Sequence, residues 1–285
     1  MSLVVAQIHD GRISLVADTK ITDYNDVTKT RRVLTNAVPK ILILRERVAV
    51  GITGDNHHLV LQKLVEIRDE PLAVLREQMH EIAVRWDSHG SVVSFVLAGM
   101  EPEAQLWEIG PDTAEERTAY NRAWAGDLAA YNYFRQRFDE SATGYYSSDM
   151  GWRLLSSMQW LTSFNVVESV GGFVTRACFT GESFKFIGDF AIVGPWLMEM
   201  IREETPEGAK LALRPPRGID PRGYQVFTAT GRTPTISALA YFVPQARRAW
   251  LFRHETPWES VGLNVSSLAE LLAVGASEYG QNLDG

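Results

Sequence analysis

Four residues near the start of the chain have types and an order that could do chemistry: Ser2, Asp18, Lys40 and Gly51. Removal of Met1, usual before a small residue, would leave Ser2 carrying both a free α-amine and a hydroxyl. An α-amine titrates near about pH 7.7–8. It can take the hydroxyl proton at neutral pH without any histidine, which activates a weak oxygen nucleophile. Lys40 would place positive charge beside that amine and lower its pKa, and Asp18 would hold Lys40 charged and in place. The backbone N–H of Gly51 would face a developing oxyanion, where a side chain would obstruct the substrate. Together they amount to attack on a carbonyl through an acyl-enzyme. Each residue also has a plainer reading. Serine is common in second position, Asp18 can simply end a strand, Lys40 can be a solvated edge lysine, and Gly51 can mark a bulge or a close backbone approach.

These residues need strands to hold them. Leu3 to Ile8 and Arg12 to Asp18 are apolar, β-branched runs flanking His9-Asp10-Gly11, an Asp-Gly hairpin signal. A polar excursion runs from Thr19 to Val38. Ile41 to Leu44 and Val48 to Gly54, joined by Arg45-Glu46-Arg47, form a second hairpin. Two helices follow before Ser88, with Leu59, Leu61, Leu64, Val65 and Ile67 at helical spacing, then Leu72, Leu75, Met79, Ile82 and Trp86 on one face. Adjacent His57 and His58 point different ways on a helix, so they make a poor metal clamp and read as surface or capping residues. Ser91 to Ile109 is a hairpin, and Tyr120 to Trp124 is strand-like. Leu128 to Phe138 is helical, as is Asp149 to Phe164 with Trp152, Leu155 and Leu161 inward. Gly171 to Ile187 is a third hairpin. Strands cluster with strands and helices with helices, which predicts an α+β protein with antiparallel sheets covered by helices.

The order of these pieces resembles a proteasome β-type subunit, among the N-terminal-nucleophile hydrolases. The matching residues are Val16-Ala17-Asp18, Lys40-Ile41, Val50-Gly51-Ile52-Thr53-Gly54-Asp55 before a helix, and Ala125-Gly126-Asp127 before another. The resemblance covers about residues 2–188. It implies a four-layer αββα sandwich, two antiparallel sheets between helix layers. It implies a peptidase acting on peptide or unfolded protein, a homo-oligomeric ring or helical assembly, and an ATP-dependent unfoldase as a possible partner. Two departures stand out. The family draws a serine from a Gly-Ser-Gly turn, and here that position falls at Ala125, beside Gly126 and Asp127. The family also has an Asp-x-x-Ser-Gly pattern; here Val166 to Gly171 puts no Asp in register, and Glu168 or Ser169 substitutes only with a shift. A catalytically inactive scaffold and a transpeptidase using the same acyl-enzyme are the competing readings.

Composition narrows the class. A net charge of −7 argues against nucleic acid as the main partner. One cysteine, Cys178, excludes an internal disulfide and fits a cytoplasmic protein, as a buried structural thiol. No apolar run spans a bilayer and no secretory signal precedes the first strand, so no membrane association is expected. No phosphate-binding loop, His-Glu-x-x-His or Cys pair is present, so neither a cofactor nor a metal is expected. Residues 1–190 read as the hydrolase-like domain. Residues 191–285 read as an extension packed on it: a short helix from Pro195 to Glu203, a loop from Thr205 to Gly223, three strand-like runs, and a final helix from Asn264 to Tyr279 capped by Asn264 or Ser266.

Overall fold

A computed structural model describes residues 2–20, 39–55, 57–143, 148–164, 166–167, 169–188, 190–193, 199–205, 208–214, 224–231 and 238–285. In chain order its elements are β1 (Leu3–His9), β2 (Arg12–Asp18), β3 (Ile41–Arg45), β4 (Val48–Gly54), α1 (His57–Glu66), α2 (Leu72–Asp87), β5 (Val93–Met100), β6 (Ala104–Ile109), β7 (Ala114–Glu116), β8 (Arg122–Gly126), α3 (Leu128–Glu140), α4 (Met150–Phe164), β9 (Val174–Phe179) and β10 (Phe184–Phe186). They continue with β11 (Phe190–Val193), β12 (Glu199–Thr205), β13 (Gly208–Arg214), β14 (Tyr224–Gly231), β15 (Leu239–Val243), β16 (Arg248–Phe252), β17 (Ser260–Asn264), α5 (Leu268–Tyr279) and β18 (Leu283–Asp284).

The chain is a mixed α/β protein of antiparallel sheets and, among the described residues, five α-helices. The first sheet runs β10-β9-β2-β1-β8 and the second β3-β4-β5-β6-β7. The third runs β11-β14-β15-β16-β17 with β18 beside β14, and β12-β13 form a separate ribbon. Asp10 and Gly11 both have positive φ (48° and 70°), as a two-residue hairpin turn of this twist requires. That turn fixes the register of β1 on β2, His9 opposite Arg12 and Val4 opposite Ala17.

Alternation along β1 explains why Leu3 to Ala6 is an unbroken apolar run. Val4 and Ala6 enter one core, shared with Ile41, Ala49 and Val96 of the second sheet and with Leu239, Tyr241 and Phe252 of the third. Leu3 and Val5 point the other way, into a core with Phe134 and Phe138 of α3 and Leu154, Met158 and Leu161 of α4. A strand covered on both faces has no polar side to show. The far face of the second sheet is covered by Val60, Leu61 and Leu64 of α1 and Leu75, Met79 and Ala83 of α2. The third sheet's outer face packs on α5 through Leu271.

Several sequence expectations shift. Of the helix read from Pro195 to Glu203, residues 195–198 lie outside the described residues and Glu199 to Glu203 belong to the strand Glu199–Thr205, because Gly208–Arg214 pairs with it from Glu199↔Arg214 to Thr205↔Gly208. That partner lay in a stretch read as loop, so no pairing was visible. Strands β7 and β17 were also unforeseen. Trp152, expected inward, is exposed, as is Leu59 of the helically spaced set, because α1 and α4 are rotated to bury Val60 and Leu154. The cap of α5 is Ser267, whose side chain accepts from the Glu270 amide, while Glu270 reaches back to Ser266. Cys178 is only partly buried.

Candidate active site

The end of β2 and the start of β3 converge on a buried ion pair. Lys40 Nζ lies 3.0 Å from each oxygen of Asp18, with Asp18 fully buried and Lys40 3% exposed. The third ammonium proton goes to the Lys20 carbonyl. All three donors of the ammonium are thereby used. Asp18 is equally engaged: Oδ1 accepts from the Leu3 amide at 2.9 Å, and Oδ2 accepts from the Lys20 and Gly171 amides at 3.1 and 3.2 Å. Burial draws the Lys40 ammonium below the usual lysine range, and the Asp18 carboxylate opposes that shift. The lysine is therefore a fixed cation two hydrogen bonds from the Ser2–Leu3 peptide.

Ser2 immediately precedes β1 and is 3% exposed. Its carbonyl accepts from the Asp127 amide at 2.8 Å. Gly126, opposite Leu3, has a φ of 115°, and a Cβ there would stand 1.8 Å from the Ser2 carbonyl oxygen. Only glycine lets β8 come this close. Asp127 then caps α3, its Oδ1 accepting from the Ala129 and Ala130 amides. Its Oδ2 accepts from Ser169 Oγ at 2.6 Å. Desolvation works against the charge, but Ser169 and the two amides outweigh it and hold the carboxyl below its usual range. Ala125 points away, into the core between the sheets. The structure thus brings Ser2, Asp18, Lys40, Asp127 and Ser169 to one end of the first sheet. Glu168 lies outside the described residues.

Gly51 sits inside β4, between Ile41 and Val96. The Ile52 amide donates to the Lys40 carbonyl at 2.8 Å, so Gly51 and Ile41 form a non-hydrogen-bonded pair and the Gly51 amide turns toward β5. Its lack of a side chain has a packing cause: a Cβ would meet Val4 Cγ1 at 2.2 Å. Gly54 ends β4. Gly54 has a φ of 108°, and a Cβ there would stand 1.9 Å from the Val92 carbonyl oxygen.

Sequence reasoning missed the Gly171 amide and the inward turn of His57. The glycine pair Gly171-Gly172 was the available signal. Gly172 has a φ of 77° and packs against Thr19, whose Oγ1 accepts from the Phe173 amide at 3.0 Å. His57, expected at the surface or as a cap, is partly buried, and its Nε2 lies 2.7 Å from the Pro39 carbonyl oxygen. Burial lowers its pKa to about 4, with nearby Lys40 acting in the same direction. Among the described residues, no group of three or more His, Cys, Asp or Glu is placed to hold a metal, and no helix is long and apolar enough to cross a membrane.

The chain matches no protein-family model and no curated protein.

Proposed function

We propose that this chain is an N-terminal-nucleophile amidohydrolase of the proteasome-like kind, built as a four-layer αββα sandwich and acting on peptide bonds. Support for the layering comes from the order of cores: α1 and α2 on the second sheet, that sheet on the first, and the first on α3 and α4. The observation that carries the chemistry is the Asp18–Lys40 pair, bonded through Asp18 to the amide that follows Ser2. In this reading Met1 is removed and Ser2 Oγ attacks a peptide carbonyl while its α-amine takes the hydroxyl proton. The Lys40 charge keeps that amine neutral near pH 7. The amine then protonates the leaving nitrogen, and water hydrolyses the Ser2 ester. The Gly51 amide, the sequence candidate for the oxyanion, is turned to β5 by the Ile52–Lys40 bond.

A reagent that acylates N-terminal hydroxyl nucleophiles, followed by intact mass and peptide mapping, tests this directly. The expected product carries one label, on Ser2, with Met1 absent, and Ser2→Ala takes none. A label elsewhere, or equal labelling of Ser2→Ala, removes the nucleophile. One observation favours a second reading, a non-catalytic scaffold: Ser2 is 3% exposed. Retention of Met1 in the folded protein would select it.

A further inference from the structure

Lys40 is clamped from both sides by its own backbone. The Lys40 carbonyl accepts from the Ile52 amide of β4, and the Pro39 carbonyl just before it faces His57 Nε2 at 2.7 Å. Proline fixes its own φ and has no N–H, so its carbonyl is the handle by which a neighbour can hold this segment. A carbonyl only accepts, so Nε2 carries the proton and His57 is the donor. The residue opens α1, and α1 is itself anchored on the second sheet by Val60, Leu61 and Leu64. The route from the helix layer to the ammonium is therefore short: α1, His57, the Pro39–Lys40 peptide, Lys40 Nζ, Asp18.

We propose that His57 is a positioning residue that sets where the Lys40 ammonium stands over Asp18 and the start of β1. The inference rests on the reading of Ser2 and Lys40 as site residues. A lysine stem has four rotatable bonds, so Asp18 and the Lys20 carbonyl hold the ammonium in one geometry only while the Cα stays at a fixed distance from them. Neutral imidazole suits the task, since an imidazolium here would add a second positive charge beside Lys40. Displacing a charged group by about an ångström can cost on the order of a hundred-fold in rate.

The test compares His57→Gln, which keeps an amide donor near the position of Nε2, with His57→Phe, which keeps the ring's bulk and loses the donor. Two readouts are taken on folded protein: the rate of Ser2 acylation across pH, and the pKa of the Lys40 ammonium followed by NMR. His57→Phe is expected to slow acylation at least about ten-fold and to move its pH midpoint together with the Lys40 pKa, while His57→Gln stays within about three-fold of the parent. Parental rate and pH midpoint in His57→Phe would overturn the proposal. So would an equal loss in both variants. If the parent takes no label at all, the nucleophile reading fails, and the Lys40 titration alone then decides His57: an unmoved pKa in His57→Phe rejects the positioning role.

Discussion

Two buried polar pairs cross between secondary-structure layers, and they are built differently. At the start of β1, Asp18 and Lys40 form an ion pair whose carboxylate also accepts from three backbone amides. At the seam where the third sheet meets β9, Thr175 Oγ1 and Tyr241 Oη share one neutral hydrogen bond of 2.9 Å amid Phe173 and Phe252. The second is what a core needs to satisfy two hydroxyls. The first costs several kcal/mol of desolvation for each ion, and apolar side chains can replace such pairs without loss of stability. Retaining it makes sense where a fixed charge has a task.

Breaking the charged pair should have the largest effect. Lys40→Met leaves Asp18 buried with its amides but without a cation, so a loss of about 3–5 kcal/mol is expected in urea unfolding. Adding Asp18→Leu should not restore stability, since the Leu3, Lys20 and Gly171 amides would lose their acceptor. Recovery to the parental midpoint in the double variant would show that the pair is ordinary core chemistry.

The next effect is in pH. His57 has a folded pKa of about 4 against about 6.5 when unfolded, so the unfolded chain binds more protons between those values and stability rises with pH there. Read downward, the parent should lose up to about 3 kcal/mol between pH 6.5 and 4 on this account. In His57→Gln that component should vanish, and equal slopes in the two proteins would remove His57 from the account.

Smaller still is Gly51→Ala. Its methyl meets Val4 where the two sheets touch, so about 1–3 kcal/mol of overpacking is expected in thermal unfolding. Val4→Ala in the same chain should recover part of it, whereas an undiminished loss would place the strain elsewhere. The neutral pair should matter least. Tyr241→Phe with Thr175→Val removes both hydroxyls at once and should change stability by less than about 1 kcal/mol, because neither partner is left unsatisfied. A loss matching that of Lys40→Met would erase the contrast between the two pairs.

The strands that carry Ser2, Asp18 and Lys40 were legible because each strong signal was local: an Asp-Gly turn between β-branched runs, and a lysine opening an apolar run. The ribbon at Glu199–Thr205 was not, because its identity as a strand depends on a partner with no signature of its own. The same limit hid His57. Its neighbour Pro39 is remote in sequence, and two adjacent histidines at a helix start carry no hint that one of them turns inward. Asp127 was visible as a residue beside the Ala-Gly turn, but its bond to Ser169 was not, for the two come from elements that only packing brings together.

Residue order alone determined which groups could act and that the segments from Leu3 to Gly54 pair as two hairpins, since turn chemistry and side-chain alternation act over a few residues. Tertiary packing decided that the Gly51 amide turns toward β5, that Val4 fills the space beside Gly51, and that Asp18 gathers three amides and an ammonium. Those outcomes depend on register and layer contact between distant segments, where a shift of one residue sends every side chain to the opposite face.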